Sequence, residues 1–438
     1  MSVITIVGPK GGIGKTTLSI NTTAALTRAL GSRHSHNQIC LVDLDLRLPT
    51  ITSLLDSHPT KTFYDLFECL GNRTYQVDYL RTCYQLLTWF KAYIEGEIPA
   101  RHDKLIEAFT HYKVMNTQLF QASDFKYSHA IQSMLLQRGE IKTISALKQL
   151  APDLRSVDLK DFRRRVEEMD QTARPVVEEY INYIEEYGFS IIGGEVPILG
   201  KRGHRKRINE PEFLLLFLDF LAGVFKKFKY VVLDTPAGGV NHLSSLMNVI
   251  DQVLFVFDLS NTIAVNGSID ALHSFIDYYE EFQSDYAKGT LHGLDRAHVN
   301  RLVAQKGKSD LYESIKSKKM GIVFNRNQGK EEITGALKML REYLDTLDKY
   351  HQYKNRIQIV GMIPNHKVIN ITNNRGTLFY NMDISLSDRM DQIAKGILSE
   401  NGTCPSLGDG DKVILDYLNS FKKPQLIDKL GKIASNFS

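Results

Sequence analysis

Pro9-Lys10-Gly11-Gly12-Ile13-Gly14-Lys15-Thr16-Thr17 is the stretch that decides how this chain is read. It follows an apolar run, Val3-Ile4-Thr5-Ile6-Val7, and precedes a helix-like run from Leu18 to Leu30. Strand, glycine loop and helix in that order are the setting a phosphate-binding loop requires. Gly11, Gly12 and Gly14 let the backbone bend tightly around Ile13 and turn its N–H groups toward an anion. The helix that follows adds its positive N-terminal end, beginning at Thr16 and Thr17. Lys15 supplies a point charge for terminal phosphates, and the Thr16 hydroxyl is suited to ligating Mg²⁺. Pro9 is a departure, because it stands where the first glycine of G-x-x-x-x-G-K-S/T is usual. A glycine-rich turn without a ligand is the plainer alternative, and the strand and helix on either side outweigh it. The stretch predicts a nucleotide.

A second lysine, Lys10, narrows the reading. Lys-Gly-Gly-x-Gly-Lys-Thr-Thr resembles the deviant loop of the ParA/MinD family, whose relatives include nitrogenase iron protein and the arsenite and tail-anchor ATPases. The resemblance implies that Lys10 reaches across a dimer interface to the partner's nucleotide. Positive charge on the developing anion speeds phosphoryl transfer, so a lysine supplied in trans makes hydrolysis conditional on dimerisation.

Later segments fit the same resemblance in chain order. Ile39-Cys40-Leu41-Val42-Asp43 reads as a buried parallel strand ending in the carboxylates of Asp43-Leu44-Asp45. The resemblance implies that Asp43 sits near Mg²⁺ and that Asp45 orients the attacking water. Tyr230-Val231-Val232-Leu233-Asp234 is another apolar strand, with Thr235-Pro236-Ala237-Gly238-Gly239 after it. Asp234 looks like the Walker B aspartate that holds magnesium-bound water. Val253-Leu254-Phe255-Val256-Phe257 and Met320-Gly321-Ile322-Val323-Phe324 supply further core strands. The second of these ends in Asn325-Arg326, where the family places its adenine-reading asparagine. Ile357 to Pro364 matches the final strand and the loop that passes the base. One strand ending in aspartate means little, but the ordered set is specific, because open α/β sheets place ligands at strand ends.

The expected fold is therefore a mostly parallel, doubly wound α/β sheet of P-loop NTPase type with a large helical insertion. At 438 residues the chain exceeds the ~250–300 residues that one core holds, so an insert or a second domain is expected. The ATPase domain is assigned to 1–58 and 189–400, a helical insertion or subdomain to 59–188, and a helical tail to 401–438. Within the insertion Leu80, Cys83, Tyr84 and Leu87, then Phe162, Val166 and Met169, then Val177, Tyr180, Ile181 and Ile184 recur at three- and four-residue intervals. Phe189 to Gly194 resembles the strand before the Walker B half. Formal net charge is +4, too little by itself to claim nucleic-acid binding. The four cysteines include no C-x-x-C, so neither a disulfide framework nor a cysteine metal site is suggested. No signal peptide precedes the first strand and no apolar run approaches the roughly 18 residues of a membrane span, so the cytoplasm is expected.

Partners are less legible. Lys201-Arg202-Gly203-His204-Arg205-Lys206-Arg207 suits DNA phosphates, anionic lipid or an acidic protein, and equally a solvated loop. Arg163-Arg164-Arg165 beside Glu167-Glu168 reads as local helix pairing. The segment 425–437 carries an apolar face at 426, 427, 430, 433 and 437. Docking on the core is the preferred reading of that face, with membrane contact as the alternative.

Taken together, the sequence predicts an ATP- and Mg²⁺-binding ATPase of ParA/MinD type that dimerises on ATP and partitions or positions DNA or a protein assembly. Two alternatives come from other classes. Asp43-Leu44-Asp45-Leu46-Arg47-Leu48-Pro49-Thr50 resembles a stretch of the bacterial tyrosine autokinases, although Tyr417 stands alone after Tyr380 and those kinases lack a Lys10-type loop. The other is an ATP-gated scaffold or regulatory subunit of a mobile-element or defence system, disfavoured because Lys10, Lys15, Asp45 and Asp234 are all present.

Overall fold

The computed structural model describes residues 2–31, 38–45, 50–55, 57–70, 157–172, 175–194, 211–236, 249–291, 317–327, 329–347, 351–375, 377–399 and 404–420, with a few isolated positions between. The described residues contain an eight-stranded sheet in the order β3-β4-β2-β5-β1-β6-β7-β8. Its strands are β1 (Ser2–Val7), β2 (Ile39–Asp43), β3 (Asn182–Ile184), β4 (Phe189–Ile192), β5 (Tyr230–Asp234), β6 (Gln252–Asp258), β7 (Lys319–Asn327) and β8 (Ile357–Pro364). Every neighbouring pair is parallel except β3 with β4. The six longer apolar runs and the Phe189 strand fall where the sequence places them. Continuous apolar character is what a parallel sheet covered on both faces demands.

Both coverings are visible in the side chains. Ile4, Ile6, Leu41, Val232, Leu254 and Val323 pack into one cluster with Leu18, Ala25 and Leu26 of α1 (Lys15–Ala29) and with Met390, Ile393 and Ile397. On the other face Phe255 meets Phe275 edge to face, with centroids 5.2 Å apart. Period-two alternation thus sends successive residues of one strand to different helical layers. Each fully buried Leu, Ile, Val or Phe contributes about 1.5–3 kcal/mol.

The remaining helices are α2 (Ile51–Leu54), α3 (Leu159–Thr172), α4 (Pro211–Lys227), α5 (Thr262–Lys288), α6 (Lys330–Thr346), α7 (Lys367–Arg375), α8 (Phe379–Met382), α9 (Ile384–Leu398) and α10 (Asp411–Asn419). Phe275 lies on α5, and Met390, Ile393 and Ile397 lie on α9. α5 starts with Asn261 accepting from the Ala264 amide, and it stops at Gly289 in the left-handed conformation. No helix among the described residues is long and apolar enough to cross a membrane.

The chain divides into two compact units. One comprises Met1–Tyr64, Val177–Lys201 and Phe217–Ser438 and contains the whole sheet. The other comprises Asp65–Val176 and Arg202–Leu216. In this second unit α3 carries the predicted pairs, Arg163 with Glu167 at 2.8 Å and Arg164 with Glu168 at 2.5 Å, while Arg165 pairs with Asp161 at 3.1 Å. Phe162 on its buried face stacks with Tyr84 at 6.2 Å.

The stretch from Val177 to Ile184 differs from its helical spacing. Val177–Tyr180 forms a single 3₁₀ turn, and Asn182–Ile184 is the edge strand β3, antiparallel to β4. Gly188, at φ 73, turns the chain back into β4. Val177 and Tyr180, three residues apart, fit the repeat of a 3₁₀ turn as well as they fit an α-helix. The basic segment 201–207 and the amphipathic segment 425–437 lie outside the described residues, as does most of the stretch from 71 to 156.

Candidate functional site

β1 lies between β5 and β6, and the chain leaves it through the glycine loop into α1. Strand order reverses around β1, which makes the C-terminal ends of these strands the ligand crevice of an open α/β sheet. A cavity of 360 Å³ opens there. Its walls are Gly11, Gly12, Gly14, Lys15, Thr16 and Thr17 of the loop, Asp45 and Thr50 after β2, and Thr235 after β5. Asn325 and Arg326 of β7, Pro364 at the end of β8, and Asn365 and His366 beyond it close the other side, with Ile369 and Asn370 from α7. The volume falls within the range of small-molecule sites, about 300–1,000 Å³.

Loop conformation follows from its glycines. Gly12 (φ 76) and Gly14 (φ 90) occupy the left-handed region. A Cβ on Gly14 would come within 2.7 Å of Asn325 Nδ2, so space and backbone angle both exclude a side chain there. Ile13 between them is fully buried and anchors the loop to the core. Lys15 is 7% exposed, and its ammonium donates to the Lys10 carbonyl at 3.0 Å. Burial pulls its pKa down, opposed by the charges of Asp234 and Asp45. Lys10 itself is exposed.

Asp234 is completely buried at the end of β5. Thr16 donates its hydroxyl to Asp234 Oδ2 at 2.7 Å, and the Ser19 hydroxyl lies 2.8 Å from Oδ1. Burial pushes the Asp234 carboxyl up to about 6, against the pull of those two hydroxyls. Hydroxyl and carboxylate side by side next to the phosphate loop form the donor set with which P-loop proteins hold Mg²⁺ and its water. The residues present fit that ion. Among the described residues no three of His, Cys, Asp and Glu converge on a metal position. A P-loop magnesium takes few protein ligands and completes its shell with water and phosphate.

Asp43, which the resemblance sets near Mg²⁺, is fully buried at the end of β2, beside Asp234 in register. Its Oδ1 accepts the Asp45 amide at 3.0 Å, and its Oδ2 accepts the amides of Thr50 at 3.1 Å and Ile51 at 3.2 Å. Both oxygens thus tie the end of β2 to the start of α2. Burial pushes this carboxyl up to about 8, with Asp234, its register partner on β5, adding repulsion. Asp45, half-buried, is on the cavity wall.

Asn325 and Arg326 reach the loop from β7. Asn325 Nδ2 donates to the Ile13 carbonyl at 2.6 Å, and Arg326 donates to the Gly12 carbonyl and, at 3.3 Å, to Asp258 Oδ2. Several residues on or behind the cavity wall escape a motif-based reading. Ser19 sits one helical turn after Thr16, on the same face, and that spacing was a readable signal. Asp258 ends an apolar strand just as Asp43 and Asp234 do. His366, Ile369 and Asn370 carry no pattern and become visible only once β8 is placed.

The CobQ/CobB/MinD/ParA nucleotide binding domain matches residues 4–379. The chain belongs to that family. Among solved structures this family member is similar to the MinD cell division protein of Aquifex aeolicus, at 13% identity and a TM-score of 0.42, covering 92% of this chain and 100% of that one. The cell division ATPase MinD of Pyrococcus furiosus gives 13% identity and 0.42, covering 90% and 98%. McdA from Cyanothece, in its apo form, gives 13% and 0.43, covering 91% and 99%. No curated protein matches the chain.

Proposed function

We propose that this chain is a magnesium-dependent ATPase that works as a cytoplasmic switch. ATP brings two copies together, and hydrolysis releases them. The observation that carries the reading is that Lys15 and Thr16 line one cavity, with buried Asp234 hydrogen-bonded to Thr16, next to exposed Lys10. Loop amides and the Lys15 ammonium bind the polyphosphate, and Thr16 and Asp234 hold the ion with its water. Magnesium, when bound, neutralises charge on the β- and γ-phosphate oxygens. Asp45 orients the attacking water, and Lys10 serves the partner's nucleotide. Asn325, Arg326 and Pro364 surround the base side of the cavity. Asp43 sits near the ion and, by accepting the Asp45 amide, sets where Asp45 stands. The resemblance of the Lys10-type loop to ParA/MinD proteins supports a role in partitioning or positioning DNA or a protein assembly. The segment 201–207 and the second unit are the candidate partner surfaces.

Water is favoured over a tail tyrosine as phosphoryl acceptor. Tyr417 is half-buried, its hydroxyl 3.1 Å from the Val360 carbonyl and 3.1 Å from Cys404 Sγ, and Tyr380 is 6% exposed. The test is direct titration with ATP together with phosphate release, for wild type and Lys15→Ala. Binding and turnover are expected in wild type, with affinity reduced roughly 10²-fold in the variant. A wild-type protein that takes up no ATP overturns the reading.

A further inference from the structure

Arg326 is the one non-glycine residue with positive φ among the described residues, at 57°. A bulky residue held in the left-handed region is strained, and such strain persists where the surroundings over-determine it. The surroundings here are explicit. Asp258, 1% exposed at the end of β6, receives Arg326 on Oδ2 at 3.3 Å and the Ser260 amide on Oδ1 at 3.0 Å. With both carboxylate oxygens engaged, Asp258 is a fixed anchor. The Leu259 amide donates to the Asn325 carbonyl at 2.9 Å and locks the ends of β6 and β7 together. From that platform the other side of the guanidinium donates to the Gly12 carbonyl, while neighbouring Asn325 donates to the Ile13 carbonyl.

Two consecutive loop carbonyls are thereby held by two consecutive residues of β7. In a trans peptide the C=O and the N–H of the same plane point in opposite directions. Fixing the carbonyls of Gly12 and Ile13 therefore fixes the amides of Ile13 and Gly14, turned away from β7. Gly12 and Gly14, the two left-handed residues of the loop, flank that pair. Successive amides aimed to one side form an anion nest, and a nest held open in advance avoids the cost of reorganising on binding.

We propose that Arg326, anchored on Asp258, is a positioning residue that presets the loop amides for a polyphosphate, with Asn325 as its neighbour in that task. The inference rests on the nucleotide reading above. It moves Arg326 from the base to the phosphates, acting through the loop.

The experiment uses the full chain and two probes, ATP and inorganic pyrophosphate, in equilibrium titrations. The variants are Arg326→Gly and Arg326→Asn, both of which tolerate the left-handed backbone. Affinity for both probes is expected to fall by the same factor, roughly tenfold or more, while the ATP-to-GTP ratio stays at its wild-type value. Thermal midpoints are expected to change little, because relief of backbone strain opposes the loss of the Arg326–Asp258 pair. Arg326→Lys keeps the charge but not the fork that spans Asp258 and Gly12, and restores part of the affinity. Three results overturn the proposal: unchanged affinity, weaker ATP binding with pyrophosphate untouched, or losses that only track a lower midpoint. A wild-type protein that binds neither probe fails at the nucleotide reading instead, which separates the two.

Discussion

Thr16 and Asp234, 218 positions apart in the chain, meet through a 2.7 Å hydrogen bond from the threonine hydroxyl to Oδ2. That contact fastens the first turn of α1 to the end of β5, at the place where a P-loop protein gathers its cation. Ser19, 2.8 Å from Oδ1, occupies the other carboxylate oxygen, so the carboxylate has one orientation.

Asp234→Asn keeps the shape of that junction and removes its charge. Magnesium-stimulated turnover is expected to fall by roughly 10²-fold or more, while ATP affinity measured in EDTA changes little. EDTA should abolish turnover in the wild type. Phosphate release with and without the chelator reads both effects, and a variant that hydrolyses at the wild-type rate removes Asp234 from the ion site.

The two buried carboxyls also give the nucleotide-free protein a pH signature. Asp43 at about 8 and Asp234 at about 6 both lie above the carboxylate range of an unfolded chain. The folded state thus holds these protons more tightly than the unfolded state. Their contribution to stability is complete below the unfolded pKa and is lost as pH rises through the folded values. Urea unfolding at pH 6 and pH 9 should show the wild type losing on the order of 1–3 kcal/mol more than Asp43→Asn over that interval. Equal losses in the two proteins would rule out Asp43 as the source.

Much of this architecture is written in local sequence, for a physical reason. A parallel strand covered on both faces must be apolar throughout, so Val3-Ile4-Thr5-Ile6-Val7 and Tyr230-Val231-Val232-Leu233 declare themselves without neighbours. The glycine loop is equally local, because its conformation needs glycine at 12 and 14 whatever surrounds it. What is not local is pairing. Nothing near Asp43 in sequence says that its oxygens go to the amides of Thr50 and Ile51. The Arg326–Asp258–Gly12 chain joins three separate segments and has no sequence period. The edge strand β3 is hidden for another reason, since three residues are too short to show an alternation.

Asn325 as the proposed reader of the base has a geometric test. Its amide gives one N–H to the Ile13 carbonyl, and its oxygen accepts the Arg326 amide at 2.9 Å. A carboxamide has two N–H donors and two lone pairs, so one of each remains for a ligand. A donor beside an acceptor complements the adenine edge, where an amino group adjoins a ring nitrogen. ATP should therefore bind more tightly than GTP in direct titration, and Asn325→Ala should narrow the gap while weakening both, because it also releases Ile13. Equal wild-type affinities would leave Asn325 with its loop contact alone.

The dimer is the prediction on which the switch depends. Lys10 is exposed, and its carbonyl is held by the Lys15 ammonium, so the backbone at Lys10 is fixed by the same lysine that serves the nucleotide in cis. Occupancy of one site therefore bears on the backbone that carries the lysine for the other, which is the coupling a nucleotide-gated dimer needs. Beside the loop, a Cβ on Gly267 would lie 3.8 Å from Pro9, and Ile263, one turn earlier on α5, is 80% exposed. A second copy docking over the cavity would cover that side chain. Light scattering should find monomers with ADP and dimers with ATP when turnover is blocked by Asp45→Ala, which removes water orientation and leaves phosphate contacts intact. If Lys10 serves the partner's phosphates as proposed, Lys10→Ala should still bind ATP through Lys15 yet lose the stable dimer and turnover together. Ile263→Asp should weaken the dimer and leave the affinity of the monomer for ATP unchanged. A dimer that forms equally with ADP, with ATP and with neither would make this chain a constitutive assembly, and the second unit would then be the first place to look for its permanent interface.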